Sequence, residues 1–137
     1  MLQLLIGKKG TGKTKVLISN VNDAAKSAQG NVVFISNNIS QNMYDITSKV
    51  RMTDTSEFDI ASWDEFLGFI SGIISGNFDI TNIFVDGTLK TVKNSMDGFE
   101  NFLLRLDDLG KKFDIDFELS VSIDANDAPE YIKNYVK

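Results

Sequence analysis

Eight residues near the N-terminus, Gly7-Lys8-Lys9-Gly10-Thr11-Gly12-Lys13-Thr14, constrain this chain more than any other feature. They follow Leu2–Ile6, a near-continuous apolar run of the kind a short buried strand needs. They precede Val16, Leu17, Val21, Ala24, Ala25 and Ala28, which recur at helical spacing, with Gly30 where a helix C-cap glycine belongs. The segment therefore reads as strand, glycine-rich turn, helix. Glycines let a backbone turn through conformations closed to other residues and keep side chains out of a ligand's path. Successive N–H groups in such a turn converge on an anion, and the start of a helix adds unpaired N–H groups and the positive end of its dipole.

The eight residues fit G-x-x-x-x-G-K-[ST] at every fixed position. A chance match arises in on the order of one in a few hundred chains of this length, and the flanking strand and helix make chance a poorer explanation still. The pattern calls for a phosphate-bearing ligand, with Gly7, Lys8, Lys9, Gly10, Thr11, Gly12, Lys13 and Thr14 as the binding set. Lys13 is expected to reach the β- and γ-phosphates, and the Thr14 hydroxyl to hold Mg²⁺.

Further along, apolar runs alternate with helical periods. Val32–Ile35 reads as a second strand and Lys49–Thr53 as a weaker third. Ser62 with Glu65 forms a capping box ahead of an apolar helix face from Trp63 to Ile74, which Gly76 ends. Ile83-Phe84-Val85 is a strand closed by Asp86-Gly87. Met96 to Leu109 marks a helix stopped by Gly110. Phe113 to Ile123 alternates apolar and polar as one strand, and Asp127, Pro129 and Glu130 open a last short helix. Helices between strands predict a single domain over residues 1–137, a three-layer α/β/α sandwich around a mostly parallel five-stranded sheet.

Composition narrows the chemistry. With no cysteine and no histidine, disulfides, thiolate catalysis, His-based triads and His-ligated metals are excluded. The net charge of −5, with Arg51 and Arg105 the only arginines, argues against a nucleic-acid partner. No stretch reaches the roughly 18 apolar residues a membrane span needs, and the N-terminus lacks a signal-peptide pattern, so a cytoplasmic location away from membranes is expected.

Asp86, an acid at the tip of an apolar strand, has the Walker B pattern and is expected to bind the water shell of Mg²⁺. The alternative is an Asp-Gly hairpin turn. Together with the Walker A match at Gly7–Thr14, the chain resembles a P-loop NTPase over nearly its full length. It also resembles small standalone bacterial ATP-binding proteins, some labelled after the pilus-retraction (twitching-motility) ATPases. Those motors are longer chains with a His-containing motif, and this chain has no histidine.

The resemblance implies Mg²⁺-dependent binding of ATP or GTP, with slow or partner-stimulated hydrolysis. The guanine-reading Asn-Lys-x-Asp pattern is missing, which tilts the expectation to ATP. Many RecA-like ATPases place a catalytic Glu directly after the Walker B Asp, where this chain has Gly87. Asp54 and Asp124, at other strand ends, are the candidate substitutes, with an ordinary solvated or capping role as the alternative. The loop resembles the deviant Walker A of MinD- and ParA-like ATPases, in which the lysine matching Lys8 reaches across a dimer. The alternative for Lys8 is a solvated lysine. A second copy or a protein partner would then complete the site. Two other readings are a small nucleoside or nucleotide kinase and a non-hydrolysing, nucleotide-responsive interaction module. In RecA-like order the strand after Walker B lies inside the sheet. Phe113–Ile123 is apolar on one face only, which suits either an edge strand, with the Asp86 strand then beside the first, or a sheet with one bare face; the strand order stays open.

Overall fold

A computed structural model describes residues 1–136. Five strands, β1 (Leu2–Gly7), β2 (Asn31–Ser36), β3 (Arg51–Asp54), β4 (Ile80–Asp86) and β5 (Asp116–Ser122), form one all-parallel sheet in the order β1-β5-β4-β2-β3. The helices are α1 (Lys13–Ser27), α2 (Trp63–Ser75), the single turn α3 (Thr88–Thr91), α4 (Phe99–Phe113) and the short α5 (Glu130–Lys133). Parallel strands need crossovers; α1, α2 and the α3–α4 segment supply three of them, and residues 37–50, which hold only a 3₁₀ turn at Ile39–Gln41, carry the chain from β2 to β3. The expected α/β sandwich is the observed one.

Strand alternation divides the core in two. Val33 and Ile35 of β2 join Ile83, Val85, Phe117 and Leu119 under α2, α4 and α5. Val32 and Phe34 face the other way, with Phe84, onto Leu17 and Val21 of α1. The first layer is aromatic: Trp63 lies 4.7 Å from the rings of both Phe99 and Phe102, and Phe66 lies 5.5 Å from Phe102. The Trp63 indole N–H donates to the Ser95 carbonyl at 3.0 Å, so its polar edge is not stranded. The capping box holds: the Glu65 N–H donates to Ser62 Oγ at 3.1 Å, and the Ala61 N–H to Glu65 Oε1 at 3.0 Å.

The strand order corrects one expectation. β5 is not an edge strand; it separates β1 from β4. Its polar face is covered all the same, because α1 lies there and Asn20 Nδ2 donates to Glu118 Oε1 at 2.6 Å. Alternation marked one apolar face correctly, but the second face is closed by polar contacts. The sheet edge at β1 is shielded by the C-terminal segment, where the Leu4 N–H donates to the Tyr135 carbonyl at 2.9 Å.

Two glycines also act differently from expectation. α4 runs through Gly110 and ends at Asp114, which takes the left-handed conformation at φ 55°. A Cβ on Gly110 would stand 2.8 Å from the Ile115 carbonyl oxygen, so that glycine admits the returning chain rather than ending the helix. Phe113 accordingly belongs to α4 and not to the strand. α1 ends at Ser27 with Ala28 as its cap, and Gly30 instead makes room for the Asp79 carbonyl.

Candidate functional site

The C-terminal ends of β1, β4, β2 and β5 border a cleft of about 620 Å³. Open parallel sheets gather ligands at this end. Gly10 and Gly12 turn the loop with φ of 86° and 89°, and Gly12 sits at the cap position of α1. No side chain caps this 15-residue helix and no acid stands in its first turn. Its leading N–H groups are left to face an anion.

The loop is braced by one carbonyl. Lys8 O accepts from Thr11 Oγ1 at 2.7 Å, from the Thr11 N–H at 3.3 Å and from Lys13 Nζ at 3.0 Å. Lys13 thus rests on its own loop with ammonium protons to spare. Burial holds that ammonium below the ordinary lysine range, the nearby Asp86 carboxylate offsets part of the effect, and Lys90 adds to it.

Asp86 comes into the same cleft from the tip of β4. Thr14 Oγ1 donates to its two oxygens at 3.2 and 3.3 Å, joining positions 72 residues apart in the chain. Ser120 Oγ of β5 donates to Asp86 Oδ1 at 2.6 Å and accepts the Gly87 N–H at 3.1 Å. The carboxylate is therefore fixed by two hydroxyls. Gly87 opens α3 at φ 65° and the next strand is parallel, so Asp86-Gly87 is no hairpin turn. The donor set suits a hard cation. The Thr14 hydroxyl spends its proton on Asp86, leaving lone pairs free, and a carboxylate oxygen stands beside it. Mg²⁺ takes few protein ligands and keeps its waters, so the lack of a three-carboxylate cluster among the described residues does not count against it.

Of the other candidates, Lys9 joins this convergence, and Lys8, Asp54 and Asp124 do not. Lys9 lines the cleft with Lys13, Lys15 and Lys90. Lys8 pairs instead with Asp124, Nζ to Oδ2 at 3.3 Å, and Asp124 also caps a 3₁₀ turn through the Asn126 N–H at 3.0 Å. Asp54 caps another, accepting from Ser56 N–H and Oγ at 2.9 and 2.7 Å. Asp54 ends β3, two strands from Asp86 and about 10 Å away by strand spacing. Neither Asp54 nor Asp124 lines the cleft, where Asp86 is the sole carboxylate among the described lining residues.

Sequence reasoning missed Ser120, Lys90 and the amides Asn37, Asn38 and Gln41, which all line the cleft. Their signal was position: each stands within a few residues of the C-terminal end of a strand. Four lysines against one carboxylate make the lining positive in a chain whose net charge is −5, which is the electrostatics of a polyanion site. No family model matches the chain, and no curated protein matches it.

Proposed function

We propose that this cleft binds a purine nucleoside triphosphate with Mg²⁺, ATP in preference to GTP, and that hydrolysis is slow or awaits a partner. The observation that carries the reading is the Thr14–Asp86 contact, which joins the glycine loop to the acid at the strand tip. Loop amides and Lys13 would neutralise phosphate charge. Thr14 and Asp86 would hold Mg²⁺, which supplies charge neutralisation between the β- and γ-phosphates. The position of β5 between β1 and β4 is in keeping with the RecA-like order. A cytoplasmic location, where such nucleotides are abundant, belongs to the same proposal.

Slow turnover follows from the lining. The position after Asp86 is Gly87, which offers no base, and a glutamate there would be strained by its left-handed backbone at φ 65° and would have to displace the Asn37 amide. Asn37, Asn38 and Gln41 can orient water but cannot take its proton. A second copy or another protein would have to supply the base. The same lining favours a second reading, a non-hydrolysing nucleotide-responsive module, which unchanged ATP after long incubation with Mg²⁺ would support. A kinase is disfavoured, since Arg51 and Arg105 both lie off the cleft and Arg105 pairs with Asp64 at 3.3 Å.

Calorimetric titration with ATP and GTP, with and without Mg²⁺, tests the proposal. Micromolar, Mg²⁺-dependent binding that Lys13→Ala weakens by about 30-fold or more is expected, as for loss of a charge-assisted contact. Well-folded protein that binds neither nucleotide would overturn it.

A further inference from the structure

Lys90 has no role in the loop pattern, yet it lines the same cleft as the loop. The turn α3 explains its placement. Thr88, Leu89 and Thr91 are buried, so Lys90 is the turn's one exposed side chain. The start of that turn is tied to Asp86 through Ser120, which holds both the carboxylate and the Gly87 N–H. Among the described residues, neither Lys90 nor Lys13 has a carboxylate within salt-bridge distance. Lys90 and Lys13 line the same cleft, one from α3 and the other from the start of α1. Two neighbouring ammonium groups with Asp86 as their sole acidic neighbour in the lining are a cost that a polyanion relieves.

We propose that Lys90 is a second phosphate-binding cation, which contacts the terminal phosphate from α3 rather than from the loop and sets a preference for triphosphate over diphosphate. The inference rests on the nucleotide reading and assigns this chain a charge in cis where many such sites borrow an arginine. Charge spreads over the transferring phosphoryl oxygens, so a cation at that end also lowers the barrier to its departure.

Titrations of wild type, Lys90→Ala, Lys90→Arg and Lys15→Ala with Mg²⁺ and either ADP or a non-hydrolysable ATP analogue test it. Lys15 is an exposed lysine of the same lining, so its variant removes equal charge. Lys90→Ala should weaken the triphosphate about tenfold or more and the diphosphate less than about threefold, with Lys90→Arg restoring most of the difference. Equal weakening of both nucleotides overturns the proposal, as does an equal loss of selectivity in Lys15→Ala. Wild type that binds the triphosphate while Lys90→Ala matches it overturns the Lys90 role alone. Wild type that binds neither nucleotide overturns the reading of the whole site.

Discussion

The two faces of the sheet carry different chemistry. Under α2 and α4 the sheet meets a dense aromatic and aliphatic core, with Phe66, Phe99, Leu103 and Leu106 fully buried. Under α1 the apolar cluster is smaller, and Asn20 makes a polar contact to Glu118 of β5. The glycine loop opens into α1, and Thr14, in its first turn, reaches Asp86. One face thus supplies most of the apolar burial that opposes chain entropy. The other is free to hold lysines, left-handed glycines and a positive helix end, which add little stability. The separation implies that substitutions on one face should move stability and those on the other should move binding.

The strongest way to break that division is Phe102→Ala. Phe102 is 2% exposed and touches Trp63, Phe66 and Phe99. Removing a buried Phe side chain costs about 3–5 kcal/mol through lost transfer energy and a cavity. Denaturant titration should show that loss. Nucleotide affinity measured well below the transition should stay within about twofold, because Phe102 packs on the face of the sheet opposite α1 and does not line the cleft. Affinity that collapses while the fold persists would mean that the two faces are coupled.

The pH dependence of binding sharpens the comparison from the cleft side. Lys13 must carry its proton to hold phosphate, and in the free protein its pKa lies below the ordinary lysine range because of burial, with Lys90 adding and Asp86 opposing. A bound phosphate raises it. Binding therefore takes up a proton as pH climbs through the free-protein value, and affinity falls in that window, earlier than for a solvated lysine. The loss should approach the Lys13→Ala effect, with far-ultraviolet circular dichroism unchanged. In Lys13→Ala the same window should flatten, and a wild-type profile flat up to the ordinary lysine range would contradict the assignment.

What could be read before the fold was known follows from distance along the chain. The glycine loop is eight contiguous residues and Asp86 closes an apolar run, so the placement of both at strand ends was legible. Ser120 and Lys90 were not. A serine on the polar side of an alternating strand reads as solvent-facing until the sheet order sets it beside Asp86, 34 positions away. β5 was misjudged for the same reason, since alternation cannot tell a polar face in water from one under α1. Gly30 and Gly110 were misjudged because a glycine near a helix end has the same letter whether it turns the chain or admits a neighbouring carbonyl.

Ser120→Ala is the finest test, because Ser120 belongs to β5, the strand both faces share. Its hydroxyl is buried, donates to Asp86 at 2.6 Å and accepts from Gly87 at 3.1 Å. Alanine removes little volume and leaves the aromatic layer untouched. It frees Asp86 to turn and leaves the Gly87 N–H without that acceptor, an effect of about 1 kcal/mol in either stability or binding. If the faces are separate, the effect should fall on Mg²⁺-dependent affinity as roughly a fivefold loss, because a carboxylate held by one hydroxyl is less well aimed at the cation's waters. The Mg²⁺-independent part of binding should be unchanged, since loop amides and Lys13 do not touch Ser120. A loss confined to thermal stability would instead make Ser120 a strut of the sheet, and the polar layer under α1 would then belong to the fold as much as the aromatic one does.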